Sequence, residues 1–226
     1  MKPIIFSTEM VRSILDDSKT QTRRVITPQP YLKDIVSLGP SPVWAWDRGK
    51  MHVEHQSVNP DTAMKKFMPQ YCPYGMSGDM LWVRESHYMF GLWMKNGVSK
   101  TGAQKWRFVP IEQKVRYIEN LPDILGERPN VGWYKRPSIF MPKWASRITL
   151  RIKDVHVERA QDISNEDAIE EGCGGCLYPC ERCKPTHYEP DAVKEFGGLW
   201  DKINAKRGFG WNTNPWVWKI KFEVVE

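Results

Sequence analysis

Two segments of this chain alternate apolar and polar residues with a period of two: RITLRIKDVHV from Arg147 to Val157, and WVWKIKFEVV from Trp216 to Val225. Only a strand with one buried face satisfies that period, because successive side chains point to opposite faces. In the first segment Ile148, Leu150, Ile152, Val155 and Val157 fit the buried side, with a shift near Asp154. The shorter runs Pro3–Phe6 and Met80–Arg84, the latter after a Gly78-Asp79 turn, also read as strands. Helical spacing is confined to three places. Met10, Val11, Ile14 and Leu15 follow a Ser7 or Thr8 cap. Asp162 or Ser164 starts a short helix that Gly172 stops. Ala192–Asn204 puts Val193, Phe196, Leu199, Trp200 and Ile203 on one side. Thr20–Ile26 alternates as a strand that Pro28 and Pro30 end. Residues 31–75 and 89–137 show weak periodicity. The pattern predicts an α+β fold, a mixed β-barrel with long loop insertions, and the length suits one generous domain or two small ones.

The composition is that of a globular chain, with 41% hydrophobic and 27% charged residues among 226, so disorder is not expected. The formal charge is +6, and it is unevenly spread. Residues 128–153 hold seven basic side chains and no acidic one. Residues 86–111 hold four and none, interleaved with Tyr88, Phe90, Trp93, Trp106 and Phe108. Basic and aromatic groups together suit a polyanion with exposed bases. A solvated positive face is the plainer alternative. No apolar run approaches membrane-spanning length, and Met1–Met10 does not read as an export signal. The expectation is a cytoplasmic protein, without membrane association, whose cysteines are reduced.

Cys173, Cys176, Cys180 and Cys183 stand as C-x2-C-x3-C-x2-C. Four thiolates meet the tetrahedral preference of zinc, so a structural zinc is one reading. Reduced free thiols and an iron–sulfur site are the others. His187 is a spare ligand candidate, and Cys72 reads as a small packed hydrophobe.

Familiar catalytic signatures are absent from the sequence: no Walker loop, no G-x-S-x-G, no H-E-x-x-H and no G-x-G-x-x-G. The dense polar run is Ser18-Lys19-Thr20-Gln21-Thr22-Arg23-Arg24. On a strand, Thr20 and Thr22 take one side and Lys19, Gln21 and Arg23 the other. A threonine there is an ordinary strand former. It becomes a nucleophile only beside a base, and a lysine serves as base only when burial or positive neighbours lower its pKa. A carboxyl group would complete the set as proton donor. Local reasoning does not select it from 27 acidic residues.

The opening KPIIFSTEMVRSILDDSKTQTRRVITPQP resembles the first segment of ASCH-domain proteins, of the PUA-like superfamily. GDMLWVRE, FMPKWASRITLRIKDVHVERAQDIS, EDAIEEG and LWDKINAKRGFGWNTNPWVWKIKFEVVE resemble later segments of the family's long phage and prophage branch, in the same order. The resemblance implies one domain over residues 1–226, a small β-barrel with flanking helices and a cleft beside the first helix and strand, with insertions at about 31–75, 89–137 and 173–190. Small bacterial members are amidohydrolases of N(4)-acetylcytidine that use a Lys and a Thr of a K-T-x-T segment and a Glu from a later helix. Carried to matching positions, this implies Lys19 as general base, Thr22 as nucleophile and Glu171 as acid, with Glu170 next in register. Arg23 or Arg24 would hold an acyl oxygen or a phosphate. The family also implies two other functions: RNA binding without catalysis, and RNA cleavage. The expected partner is a modified nucleoside or RNA.

Overall fold

A computed structural model describes residues 1–33, 43–48, 51–56, 60–122, 125–174 and 192–225. In chain order the elements are β1 (Lys2–Ile5), α1 (Thr8–Leu15), β2 (Gln21–Val25), β3 (Tyr31–Lys33), β4 (Val43–Arg48), β5 (Met51–Gln56), α2 (Pro60–Phe67), β6 (Met80–Arg84), β7 (His87–Val98), β8 (Gln104–Tyr117), β9 (Gly132–Arg136), β10 (Thr149–Arg159), α3 (Asn165–Glu170), α4 (Ala192–Asn204) and β11 (Trp216–Val225). The protein is α+β, dominated by strands in several sheets with few helices. Among the described residues no sheet closes into a barrel. None of their helices is long and apolar enough to cross a membrane.

The chain divides into two compact units. The first comprises residues 1–12 and 81–149. In it β1 pairs in parallel with β6, Ile4 opposite Val83. A second, antiparallel sheet has the order β8-β7-β9. The long β7–β8 hairpin falls in a stretch where the sequence shows weak periodicity. The reason is physical: register shifts between Met89 and Gly91 and between Lys95 and Val98 break the alternation, as bulges do. Arg147 ties this unit together through a bidentate pair with Glu85 at 2.8 and 2.9 Å and a further bond to Glu119 at 3.0 Å.

The second unit comprises residues 13–80 and 150–225. Its central strands run in the order β10-β11-β2. β11 and β2 are antiparallel, with Ile220 opposite Thr22 and Lys219 opposite Arg23. A separate antiparallel sheet β3-β4-β5 falls within residues 31–56, where the sequence shows weak periodicity. Trp46 of β4 meets Trp218 of β11 edge to face at 6.2 Å. On the other side of the central strands, α3 and α4 share a core of Ala168, Cys173, Ala192, Phe196, Trp200 and Val217. This core fixes α3 against β2 and so positions the site.

Candidate functional site

The turn from α1 into β2 sets the first half of the site. Asp17 takes a left-handed conformation at φ 56°. The N–H groups of Ser18 and Lys19 both donate to the Ser13 carbonyl at 2.9 Å. Lys19 then forms an isolated antiparallel bridge with Glu171, and the Thr20 N–H donates to the Glu170 carbonyl at 2.9 Å. The outer edge of β2 is thereby joined to the end of α3.

That end is a Schellman arrangement. Gly172 N–H donates to Ile169 O at 2.8 Å and Cys173 N–H to Ala168 O at 3.0 Å. Gly172 sits at φ 86°, and a Cβ there would lie 3.3 Å from Ser13 and 3.6 Å from the Lys19 Cβ. Gly172→Ala is therefore expected to cost about 1–2 kcal/mol from left-handed strain alone. A chemical-denaturation curve measures it, and an unchanged midpoint would show that the turn relaxes.

Glu171, the last residue before that turn, faces Lys19. Lys19 Nζ donates to Glu171 Oε2 at 2.6 Å and to its main-chain oxygen at 2.7 Å. The two side chains are 0% and 4% exposed. Burial lowers the Lys19 pKa, and the Glu171 charge and hydrogen bond oppose that shift. Arg23, also fully buried, gathers three carboxylates. Its Nε donates to Glu158 at 2.7 Å, and its terminal nitrogens donate to Asp167 at 2.8 Å and to Glu171 at 3.3 Å. Lys219 of β11 also donates to Asp167. Lys19, Arg23 and Lys219 thus balance Glu158, Asp167 and Glu171. Arg24 is partly buried, and desolvation lowers its pKa against the opposing influence of Tyr74 and Glu171. It adds a positive charge beside a neutral cluster.

Asp167 shows how strongly this network holds its carboxylates. Burial alone would raise its pKa, but the Lys219 hydrogen bond and the Arg23 charge outweigh it and hold the group down at about 2. A carboxyl with a depressed pKa binds fewer protons folded than unfolded. Its stabilisation is then complete above about pH 4 and is lost as pH falls toward 2. The expected contribution is roughly 2 kcal/mol, so Asp167→Asn should flatten the acid limb of stability measured in urea between about pH 6 and 2.

The structure brings Glu171 into direct contact with both Lys19 and Arg23. Thr22 is buried, 3% exposed, opposite Ile220. By strand alternation it shares a sheet face with Arg24, opposite to Lys19, Gln21 and Arg23. Among the described residues no hydrogen bond joins its hydroxyl to Lys19 or Glu171, so Thr22 stands apart from their contact. Glu171 lies at the strand edge, bonded to Arg23 from one face and within the field of Arg24 from the other. A cleft of about 410 Å³ opens alongside, lined by Lys19, Thr20, Lys153, Glu170, Lys221 and Phe222 among others. Glu170 lines it and pairs with Lys221 at 3.2 Å. Glu158, Asp167 and Lys219 went unselected in the sequence. The available signal was the placement of Asp167 and Glu171 four apart on one helix, and of Lys219 in alternation with Trp218 and Ile220.

Cys173 is buried, and its thiol is pushed up to about 11 by burial and by Glu195 and Glu171, against Lys19. The other expected metal ligands, Cys176, Cys180 and Cys183, lie outside the described residues, as does His187. Among the described residues no group of three His, Cys, Asp or Glu side chains is placed to hold a metal. Cys72 is buried, as its reading as a packed hydrophobe expected. Comparison with known proteins gives no match: no family model, no curated protein and no solved structure matches the chain.

Proposed function

We propose that this protein is an amidohydrolase that removes an acyl group from the exocyclic amine of a modified cytosine nucleoside, free or within RNA, and that it is a PUA-like protein of the ASCH type. The observation that carries the reading is the buried 2.6 Å contact between Lys19 and Glu171. Moving one proton along that contact converts an ammonium and a carboxylate into a neutral amine and a carboxylic acid. Those are the two forms that acyl transfer needs together, a base for the nucleophile and an acid for the leaving group. Burial of Lys19 favours its neutral form.

The steps follow from these roles. Once a local opening brings the Thr22 hydroxyl to the Lys19 amine, Lys19 takes its proton and the oxygen attacks the acyl carbon. The tetrahedral oxyanion forms in the positive field of Arg24. The carbon–nitrogen bond breaks as Glu171 protonates the departing amine. Water then attacks the Thr22 ester, gives its proton back through the same groups, and releases the carboxylic acid. The cleft beside Lys19 is of a size that holds a nucleoside. Because Thr22 is buried, the mechanism requires a local opening when substrate enters.

The test is incubation of the purified protein with a panel of N(4)-acylated cytidines, with products separated by chromatography. Cytidine should appear with the native chain and not with Thr22→Ala. Absence of cytidine from every member of the panel would overturn the reading.

A further inference from the structure

The β8-β7-β9 sheet carries a cluster that hydrolysis does not use. On one face Trp93, Phe108 and Tyr134 pack edge to face, with ring centroids 5.5, 6.1 and 5.8 Å apart. Two guanidinium groups rest on these rings. Arg128 Cζ lies 4.0 Å from the Trp93 centroid. Arg136 Cζ lies 5.0 Å from the same ring, 4.5 Å from Phe108 and 4.5 Å from Phe140. Among the described residues neither guanidinium makes an ion pair with a carboxylate, and Arg136 feels the like charge of Arg128. Two like charges beside one indole repel, and a bound anion offsets that repulsion.

The surroundings indicate which anion. Residues 87–136 hold nine basic and four acidic side chains, and so supply five of the six net positive charges of the chain. Phe140, against Arg136, is 57% exposed. On the sheet's other face Arg116 lies 5.1 Å from Trp133, which meets Phe90 at 5.5 Å beside a cleft of about 640 Å³. A guanidinium seated against rings and without a carboxylate partner keeps N–H groups for phosphate oxygens. An exposed ring stacks on an unpaired base and finds none in a duplex.

We infer that this sheet binds single-stranded RNA, with Arg128 and Arg136 holding one phosphodiester and Phe140 stacking on a neighbouring base. A carboxylate peptide would use the arginines and leave the aromatic surface idle, so RNA is the better fit. The inference stands apart from the hydrolytic reading, since none of these residues belongs to the Lys19 cluster and binding is read without turnover.

The experiment titrates the full chain into a fluorescein-labelled single-stranded RNA of about twelve nucleotides, a length within the range such surfaces cover. Anisotropy is followed between about 50 and 200 mM salt. Affinity should fall linearly with salt on logarithmic axes. Arg136→Gln should weaken binding about tenfold and reduce the slope by about 0.7, the value for one single-strand phosphate contact. Arg136→Lys should keep the slope. Phe140→Ala, at an exposed side chain, should weaken binding about fivefold at every salt concentration without changing the slope. Melting curves identify any variant that fails to fold. Three results would overturn the inference: no binding by the native chain, unchanged affinity and slope in a folded Arg128→Gln/Arg136→Gln variant, or displacement by polyglutamate as effective as by unlabelled RNA.

Discussion

Glu171→Leu is expected to destabilise the protein by about 3–5 kcal/mol, and Lys19→Met in the same chain to restore most of that loss. Lys19 has no exposed side-chain surface. Without the Glu171 carboxylate its ammonium keeps the main-chain oxygen of residue 171 as an acceptor, but loses the charge that offsets its desolvation. Arg23 loses one of three carboxylates at the same time. Removing both members of the pair leaves an apolar contact and no orphaned ion, which is why the double variant should recover. Urea unfolding of the four chains closes a double-mutant cycle. Additive losses would show that the two groups do not stabilise one another.

Glu171→Gln separates chemistry from folding. The amide keeps the shape and an acceptor for Lys19 but cannot carry a proton to a leaving amine. With acylated cytidine as substrate, kcat should fall about 10²- to 10⁴-fold with little change in KM, the range for loss of a general acid. Thr22→Ala should fall to background, and Thr22→Ser should retain measurable turnover because it keeps the hydroxyl. Intact-mass measurement after rapid quenching should find the acyl group on native chain or on Thr22→Ser, and not on Thr22→Ala. A folded Glu171→Gln protein with native kcat would remove Glu171 from the chemistry. A folded Thr22→Ala protein with native kcat would remove Thr22.

The elements that sequence alone located are those with a clear local pattern or flanking turn signals. β6, α4 and β11 lie where their patterns place them, and β10 is displaced by about two residues at each end. α3 is framed by the Ser164 cap, whose Oγ accepts from the Asp167 N–H at 3.1 Å, and by Gly172. What was not legible has two causes. In β7 and β8 the bulges shift the alternation partway along, and both faces mix aromatic with charged residues. In the site, the partners of Arg23 come from β10 and α3, 135 and 144 positions away in the chain. Nothing local to SKTQTRR distinguishes Glu158 or Asp167 from other acids. The strand period did separate Gln21 and Arg23 from Thr22. It did not show that Glu171 would stand at the edge where those two faces meet.

The join between β2 and the end of α3 has a consequence for the behaviour of the protein in concentrated solution. A terminal strand with bare amides and carbonyls invites a second molecule to extend the sheet, the usual start of aggregation. Here the amide of Thr20 is already taken by Glu170, and Lys19 and Glu171 occupy the neighbouring positions. The contacts that align the acid with the base also close the start of this border to intruding strands.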